Sequence, residues 1–338
     1  MKKRYEFLED YEPGQTGVTR MRTVGEPDIV SFACITCDYS YVHLAHHPTV
    51  EGPYGGRIAH GLLGTSLAAG LLSLDAPYTV GRNAPGSYFC GFDANYRDAI
   101  RLGDTVRVEW KVAEQQSAPL HPARGIVRTA FRLATQENRA VYDGSFDLEV
   151  PRRSAAGVAA PLEFKSPARW AVKEFELDAD GIYNLEDFTV GRGGISAGRT
   201  ITETDVVNFA GLTGDYNPLY VDQSFAGSGP FKGRIVPAML VFTAAFGLWT
   251  RDGDVMRTRS SDSAKDAGHL NDNSVFHAPV RIGDTIRCLY RISETRVSRS
   301  KPDRGIITYG FQILNQRDEV VQEGKTLMVK ATSRAASA

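Results

Sequence analysis

The sequence lacks the features that mark several large classes of protein. Its 338 residues include only four cysteines, which give no disulfide framework in a chain of this size. With 39 basic and 40 acidic residues the net charge is -1, so there is no positive field to attract nucleic acid or an acidic membrane surface. The longest apolar stretch, residues 59–74, is too short to span a bilayer and contains His, Thr and Ser. We therefore expect small-molecule partners, with no nucleic acid and no membrane.

The beginning of the sequence also lacks an apolar run. Residues 1–12, MKKRYEFLEDYE, pass from basic directly to acidic side chains, whereas a secretory signal peptide has a hydrophobic segment at this point. This pattern predicts a cytoplasmic protein.

What the sequence does contain is a repeat of itself. Residues 22–45, RTVGEPDIVSFACITCDYSYVHLA, align without a gap on residues 199–222, RTITETDVVNFAGLTGDYNPLYVD, at an offset of 177. The same offset relates GGRIAHGLL (55–63) to KGRIVPAML (232–240). A repeat on this scale decides the interpretation of the whole fold.

The repeat continues into the second part of each copy and defines the predicted domains. At an offset of 180, IRLGDTVR (100–107) matches VRIGDTIR (280–287). The length also suits two domains better than one core. We predict an N-terminal domain at 1–150, a C-terminal domain of the same kind at 184–338, and a linker at 151–183 that begins with many Pro, Ala and Ser residues.

Each copy predicts the same order of elements. A Thr-x-x-Glu pattern beginning at Thr23 and at Thr200 is typical of a capping box that opens a helix. Next come segments rich in Ala, Gly and Leu, 60–73 and 237–249, whose composition indicates helices buried nearly all round. A polar stretch in the second copy, 251–274, predicts a mobile loop. Alternating apolar and polar residues then predict antiparallel strands at 87–96, 104–115, 125–136 and 139–150, and at 274–277, 284–294, 305–314 and 319–330. A buried helix wrapped by an antiparallel sheet, twice in tandem, is an α+β architecture.

The two copies differ at the residues that could move protons. His43 and His60 of the first copy align with Tyr220 and Pro237 of the second. A histidine titrates near neutral pH, whereas a tyrosine titrates near ~10, and proline has no amide hydrogen. The first copy therefore retains the candidate site, and the second is degenerate.

One acidic residue is present in both copies. Asp38 aligns with Asp215, but Asp215 has no histidine partner. We therefore expect Asp215 to hold the turn of TGDYNP by hydrogen bonds rather than to react.

The second-copy string FAGLTGDYNPLYVD, followed by FKGRIVPAML, resembles the MaoC-like dehydratase family, also called (R)-specific enoyl-CoA hydratases. The typical pattern of that family is TGDxNPxHxD, then a loop, then GxRIAHGML. The resemblance covers nearly the whole chain, once per half. It implies a double hot-dog fold, in which one chain imitates a dimer.

Carried over to this sequence, the resemblance implies specific reactive residues. The family's reactive Asp falls on Asp38, its reactive His on His43, and the His-Gly that opens the central helix on His60 and Gly61. The first half departs from the pattern at residues 40–41, where Ser-Tyr replaces Asn-Pro. That departure bears on the preferred acyl group more than on the chemistry.

The implied function is a hydro-lyase that adds water to a 2-enoyl thioester, giving the (3R)-hydroxyacyl product, or runs the reverse dehydration. Asp38 and His43 would hold the water as an acid-base pair, with His43 the expected proton acceptor. Free amides at the start of the central helix, with Gly61 allowing close approach, would bind the thioester oxygen. Arg57 or Arg97 would lie near the phosphates of CoA. This chemistry needs no metal and no organic cofactor.

Two other functions fit the same pattern. Hot-dog thioesterases would imply an acidic residue within the central helix, and neither 60–73 nor 237–249 contains one. A non-catalytic acyl-thioester-binding protein is the other alternative, because half of the chain has lost its reactive groups. The expected partner is an acyl-CoA or a carrier-protein-bound acyl thioester, and a homodimer of double hot-dogs is left open.

Overall fold

The computed structural model describes both halves of the chain and part of the linker. The described residues are 5–47, 54–75, 87–155, 162–174, 184–252 and 268–333. The strands within them are β1 (Thr16–Val18), β2 (Arg22–Thr23), β3 (Tyr88–Tyr96), β4 (Thr105–Ser117), β5 (Arg124–Thr135), β6 (Ala140–Pro151), β7 (Lys173–Glu174), β8 (Arg192–Ile195), β9 (Arg199–Thr200), β10 (Gly268–Phe276), β11 (Thr285–Val297), β12 (Arg304–Leu314) and β13 (Val320–Ala331). The helices are α1 (Glu26–Thr36), α2 (Tyr41–Leu44), α3 (Gly61–Leu74), α4 (Glu203–Thr213), α5 (Pro218–Val221), α6 (Gln223–Ser228) and α7 (Ala238–Asp252).

All of these strands belong to one sheet that runs through both halves. Its order is β1-β4-β5-β6-β3-β10-β13-β12-β11-β8-β7, with β2 and β9 also paired to β4 and β11. The halves meet where β3 and β10 pair antiparallel, with Asn95 opposite Asn271 and Gly91 opposite Val275. From this central pair outward, each half repeats the same strand order. The predicted double hot-dog is confirmed, and its two halves share one continuous sheet.

The strands form because their side chains alternate between the core and the outer face. In β4, Val106, Val108, Trp110 and Val112 are buried, while the residues between them are more exposed. This period of two places one apolar face of the sheet against the helices. The interior is one connected apolar core formed by both halves.

The central helices α3 and α7 lie inside that core, as their composition predicts. In α3, eleven of the fourteen residues are buried. Two glycines let these helices approach the other half closely. A Cβ atom at Gly70 would lie 1.9 Å from the carbonyl oxygen of Thr213, and one at Gly247 would lie 1.9 Å from that of Thr36. Each central helix therefore crosses the C-terminal end of the first long helix of the opposite half.

The predicted capping boxes are wrong, because each helix is capped two residues later than predicted. Thr23 and Thr200 lie in β2 and β9, so they precede the helices by a short extended segment. The cap of α4 is Thr202, whose amide and hydroxyl both donate to the carboxylate of Asp205. In the first half the amide of Gly25 makes the equivalent bond to its own helix. The carboxylate at the third helical position completes the box, rather than the glutamate at the first.

The polar stretch 251–274 is not all loop. Residues 268–274 form most of β10, a longer strand than the predicted 274–277. They pair with β3 and β13, so tertiary pairing overrides their polar composition. Residues 253–267 lie outside the described part of the chain.

The linker packs onto the second half. The Trp170 amide donates to the side chain of Gln312 at 2.8 Å, and the Arg291 guanidinium lies 3.8 Å from the centre of the Trp170 ring. The domain boundaries stay a prediction. None of the helices in the described ranges combines the length and the apolar character needed to cross a membrane.

Candidate active site

A cavity of about 290 Å³ lies between the two halves. Asp38, His43 and His60 line it from the first half, and Phe246 and His269 line it from the second. The predicted reactive residues are therefore brought together. The second half completes the walls around them.

The end of α1 positions Asp38. Cys37, the residue after the helix, has φ 69°, which turns the chain sharply, and the Asp38 amide lies 3.3 Å from the Thr36 hydroxyl oxygen. The Asp38 side chain is buried, and Ser40 donates to its Oδ1 through both the hydroxyl (2.5 Å) and the amide (3.2 Å). Among the described residues, none donates to Oδ2. That oxygen faces the cavity as an available acceptor.

The short helix α2 positions His43. Its Nδ1 lies 2.9 Å from the carbonyl oxygen of Ile58. Because a carbonyl only accepts, Nδ1 carries the hydrogen and Nε2 has the lone pair of the neutral ring. His43 therefore presents a basic nitrogen to the same cavity as Asp38.

His60 contacts both Asp38 and His43. It caps the start of α3, and its Nε2 lies 3.0 Å from the carbonyl oxygen of Asp38, so Nε2 is the donor. The His60 and His43 rings are 3.8 Å apart between centroids at an angle of 31°. His60 thus fixes both the Asp38 backbone and the His43 ring. Its buried Nδ1 has no hydrogen-bond partner in the described parts of the chain.

The electrostatics favour a charged carboxylate beside neutral rings. Burial acts to raise the pKa of Asp38, but the His60 and His43 rings and the Ser40 hydroxyl outweigh it, so the pKa lies below its ordinary value. Burial lowers the pKa of His43, and Asp38 and the Ile58 carbonyl oppose this only in part. Burial, with a further contribution from His43, lowers the pKa of His60 to about 3. Near neutral pH both rings are therefore uncharged, and His43 is the better proton acceptor of the two.

Gly61 opens α3 directly beside this pair. Its amide donates to none of the described residues, as expected for the first residue of a helix. A Cβ at this position would lie 3.1 Å from the Tyr96 ring and 3.2 Å from Nδ1 of His269. The missing side chain therefore lets Tyr96 and His269 pack close to the start of α3, and Gly61 itself lines the cavity.

The two arginines predicted near CoA lie in different places. The Arg97 guanidinium is exposed at the cavity and pairs with Asp143 at 2.6 Å. Arg57 does not line the described cavity, and it forms a salt bridge with Glu26. The role of each arginine stays a prediction.

The equivalent space in the second half is nearly filled. It measures about 30 Å³, and Tyr220 and Phe231 occupy its walls. Asp215 is buried, and its Oδ1 accepts a hydrogen bond from Ser73 at 2.7 Å. Burial raises the pKa of Asp215 to about 6, against the opposing effect of that bond, and burial raises the pKa of Tyr220 well above its ordinary value. Pro237 precedes α7 at the place of His60.

The first-half cluster also has the donor set of a metal site. One ligand atom each from Asp38, His43 and His60 lies within 4.8 Å of the others. Two imidazoles and a carboxylate are common ligands of divalent metals. The hydrogen bonds of His43 Nδ1 and His60 Nε2 leave one nitrogen of each ring for such a role.

Sequence reasoning missed the second half's contribution to this cavity. Thr250 and Met328, as well as Phe246 and His269, line it across the boundary between halves. A comparison of β3 with β10 at the offset of 180 could have found His269, because it replaces Phe89. In the sequence, Ser40 differs from the family pattern without showing a role. In the structure its hydroxyl donates to Oδ1 of Asp38.

Comparisons with known proteins agree with this geometry. A family profile described as "MaoC like domain" matches residues 10–127 and 191–311, one segment in each half. The chain is 33% identical over 150 residues to a 3-hydroxybutyryl-CoA dehydratase of Methylorubrum extorquens, covering 44% of this chain and 87% of that protein. It is 31% identical over 150 residues to an (R)-specific enoyl-CoA hydratase of Rhodospirillum rubrum, covering 44% of this chain and 94% of that protein.

Solved structures show the same fold over the full length. A MaoC domain protein of Chloroflexus aurantiacus superposes with a TM-score of 0.77 at 17% identity, covering 98% of this chain and 99% of that one. A Mycobacterium tuberculosis protein described as having a double hotdog fold gives a TM-score of 0.69 at 16% identity, covering 96% and 98%. At such identities the likeness concerns the fold alone.

Proposed function

This chain belongs to the family of proteins with MaoC-like domains, and from that membership and the chemistry of the cavity we propose that it is an acyl-thioester hydro-lyase. It adds water across the 2,3 double bond of an enoyl thioester, or removes water from the 3-hydroxyacyl thioester. The R configuration of the hydroxyl group is part of the proposal, supported by the name of the Rhodospirillum rubrum relative. CoA is the proposed thioester carrier, since both curated relatives are named for CoA thioesters.

One observation carries the proposal. Oδ2 of Asp38 and Nε2 of His43 are both acceptors without a described partner, and Asp38, His43 and Gly61 all line the same cavity. A water molecule has two hydrogens, so it can donate one to each acceptor. This holds its oxygen lone pairs toward the third carbon of the acyl group.

In the hydration direction, a proton leaves the water as its oxygen bonds to carbon 3. His43 is the proposed acceptor, because its ring is neutral and Asp38 stabilises the cation that forms. As that bond forms, the electron pair of the double bond moves toward the thioester oxygen, where negative charge develops. Carbon 2 then takes the proton that His43 holds, and the thioester carbonyl is restored. The dehydration direction reverses each step.

The Gly61 amide is the proposed donor to that oxygen. It lies at the N-terminus of α3, where the helix dipole also favours negative charge. Removing one such donor from an enzyme typically costs roughly 10²–10³ in rate. At the matching position in the second half, Ala238 follows Pro237, and the small cavity has no room for a thioester.

The two alternatives receive less support. A thioesterase of this fold would imply an acidic residue in the central helix, and α3 contains none. A binding protein would not need unpaired acceptors on both Asp38 and His43. A cytoplasmic location and a homodimer of two such chains stay predictions.

Matched substitutions test the proposal. Asp38→Asn and His43→Ala should each lower kcat for hydration of an enoyl-CoA by about 10²–10⁴, because each removes a member of the acid-base pair. Asp215→Asn is the control, a change of the same chemistry in the half whose cavity is filled. It should leave kcat nearly unchanged. The rate is followed by the loss of ultraviolet absorbance of the conjugated thioester, and loss of activity in Asp215→Asn but not in Asp38→Asn would contradict the assignment.

A further inference from the structure

A second polar group lies at the cavity, and two of its three residues line the wall. We call it the inner triad: Tyr96, Asp272 and His269. The Tyr96 hydroxyl donates to Oδ2 of Asp272 at 2.6 Å, and Nε2 of His269 lies 2.9 Å from Oδ1 of the same carboxylate. Asp272 is completely buried. Two of these three residues come from the half that has no reactive pair of its own.

The repeat supplies an internal comparison for the inner triad. Each of its members has a phenylalanine at the position 180 residues away: Phe276 for Tyr96, Phe92 for Asp272 and Phe89 for His269. These rings pack in the core of the filled site, with the Phe92 and Phe276 centroids 6.3 Å apart. The fold is therefore stable with apolar residues at these positions. Buried polar side chains are costly even when they are bonded, so the fold alone does not explain the triad.

The contacts of the inner triad fix the ring of His269, which lines the cavity, and leave its Nδ1 available. His269 stacks on Phe246 at 5.3 Å and 17°, and it contacts the Tyr96 ring at 4.5 Å, so its plane is fixed. Its hydrogen bonds to described residues, Asp272 and Thr326, both use Nε2. Because the carboxylate only accepts, Nε2 carries a hydrogen. Nδ1 is left for another partner, and it lies 3.2 Å from the position that a Cβ of Gly61 would fill.

We propose, building on the hydro-lyase function, that His269 is a specificity residue that hydrogen-bonds an oxygen atom on the acyl group of the substrate. The preferred acyl group therefore carries a hydroxyl or a carboxylate in addition to the thioester. A neutral His269 accepts a hydrogen from a hydroxyl at Nδ1, and a protonated one donates a hydrogen to a carboxylate. Asp272 is a positioning residue, because it acts through the ring.

Three substrates and one substitution, which copies the matching residue of the first half, test this inference. The substrates are crotonyl-CoA and two four-carbon 2-enoyl-CoA analogues whose terminal carbon carries a hydroxyl or is a carboxylate. The wild-type kcat/KM should be higher for one of the oxygen-bearing thioesters than for crotonyl-CoA, and that analogue identifies the group bound. His269→Phe, which copies the residue at position 89, should lower kcat/KM for that analogue by roughly 10- to 100-fold. The loss for crotonyl-CoA, which has no such oxygen atom on its acyl group, should be at least about tenfold smaller.

Two further variants make the test independent of folding defects. Tyr96→Phe removes only the hydroxyl bound to Asp272, and it should shift the preference in the same direction by a smaller factor. His269→Asn keeps a polar side chain and carries the test if His269→Phe does not fold. Val275→Ala, an exposed position on the same strand, is the control and should change neither rate.

The outcomes separate this inference from the function on which it rests. Equal loss on all three thioesters would make His269 a general structural or catalytic group and would overturn the specificity role. A wild-type preference for crotonyl-CoA would overturn it as well, while leaving the hydro-lyase assignment intact. Hydration of none of the three would overturn both.

Discussion

A close contact between the halves offers a test of how the degenerate half supports catalysis. Gly247 of α7 packs against the end of α1, and a Cβ there would lie 1.9 Å from the carbonyl oxygen of Thr36 and 3.1 Å from the amide nitrogen of Asp38. A relaxed carbon-oxygen contact is about 3.5 Å, so Gly247→Ala must displace one backbone by about 1.5 Å. The displaced segment carries Asp38.

The expected effect has two parts. Overpacking a buried contact should lower the free energy of unfolding by about 1–3 kcal/mol. A misplacement of about 1 Å at a reacting group should also lower kcat by roughly 10²-fold, because the water would no longer be held between two acceptors. Thermal unfolding measures the first part, and enoyl-CoA hydration well below the melting temperature measures the second.

Gly70→Ala is the matched control. Its Cβ would lie 1.9 Å from the carbonyl oxygen of Thr213 and 3.2 Å from the amide nitrogen of Asp215. The steric conflict is therefore the same, but the carboxylate residue beside it is Asp215 of the degenerate half. Gly70 is also well along α3 from Gly61, which opens that helix. Gly70→Ala should be destabilised to a similar degree and keep most of its kcat. Equal losses of kcat in the two folded variants would refute the reasoning.

The remaining predictions concern pH and metal dependence. Since the pKa of His43 is lowered, kcat/KM for hydration should stay level as pH falls through 6.5, the ordinary value, and decline only below it; a pH profile that already declines above 6.5 would contradict the assignment. The pKa of Asp215 is raised from 3.8 to about 6. Because the folded protein disfavours the charged form, ionisation of Asp215 lowers the free energy of unfolding as pH rises between these values, by about 3 kcal/mol at the upper end. The stability of Asp215→Asn relative to wild type should therefore increase over that range, as measured by denaturant unfolding at each pH, and a constant difference would argue against the buried carboxylate. A chelator should leave the hydration rate unchanged, and loss of activity that a divalent metal restores would make the Asp38, His43 and His60 cluster a metal site.

The sequence predicts the fold well because the repeat constrains it. Two aligned copies with matching helices and alternating strands leave few arrangements, and the double hot-dog with one sheet is among the simplest. The predictions that are wrong concern local structure, such as the position of a helix cap. Thr200 has the composition of a cap, but it pairs in β9 with β11, and the real cap lies two residues later at Thr202.

The sequence identifies the site residues of the first half but not those of the second half. Asp38, His43 and His60 lie within 23 consecutive residues, and the two histidines align with residues of different chemistry, so the comparison of copies identifies this segment. His269 is more than 200 residues from them, inside a stretch whose polarity indicates a loop. Its proximity depends on the pairing of β3 with β10, and no local pattern encodes a long-range strand pairing.

The cavity between the halves also determines how the site responds to dilution. When two separate chains each supply one wall, the fraction of complete sites falls as the protein concentration falls. Here the linker joins both walls covalently, and β3 and β10 pair within one molecule. Folding alone therefore assembles the site. Of the two matching spaces in the described residues, the first-half cavity is the one large enough for a ligand. We therefore expect one acyl thioester to bind per polypeptide at any concentration.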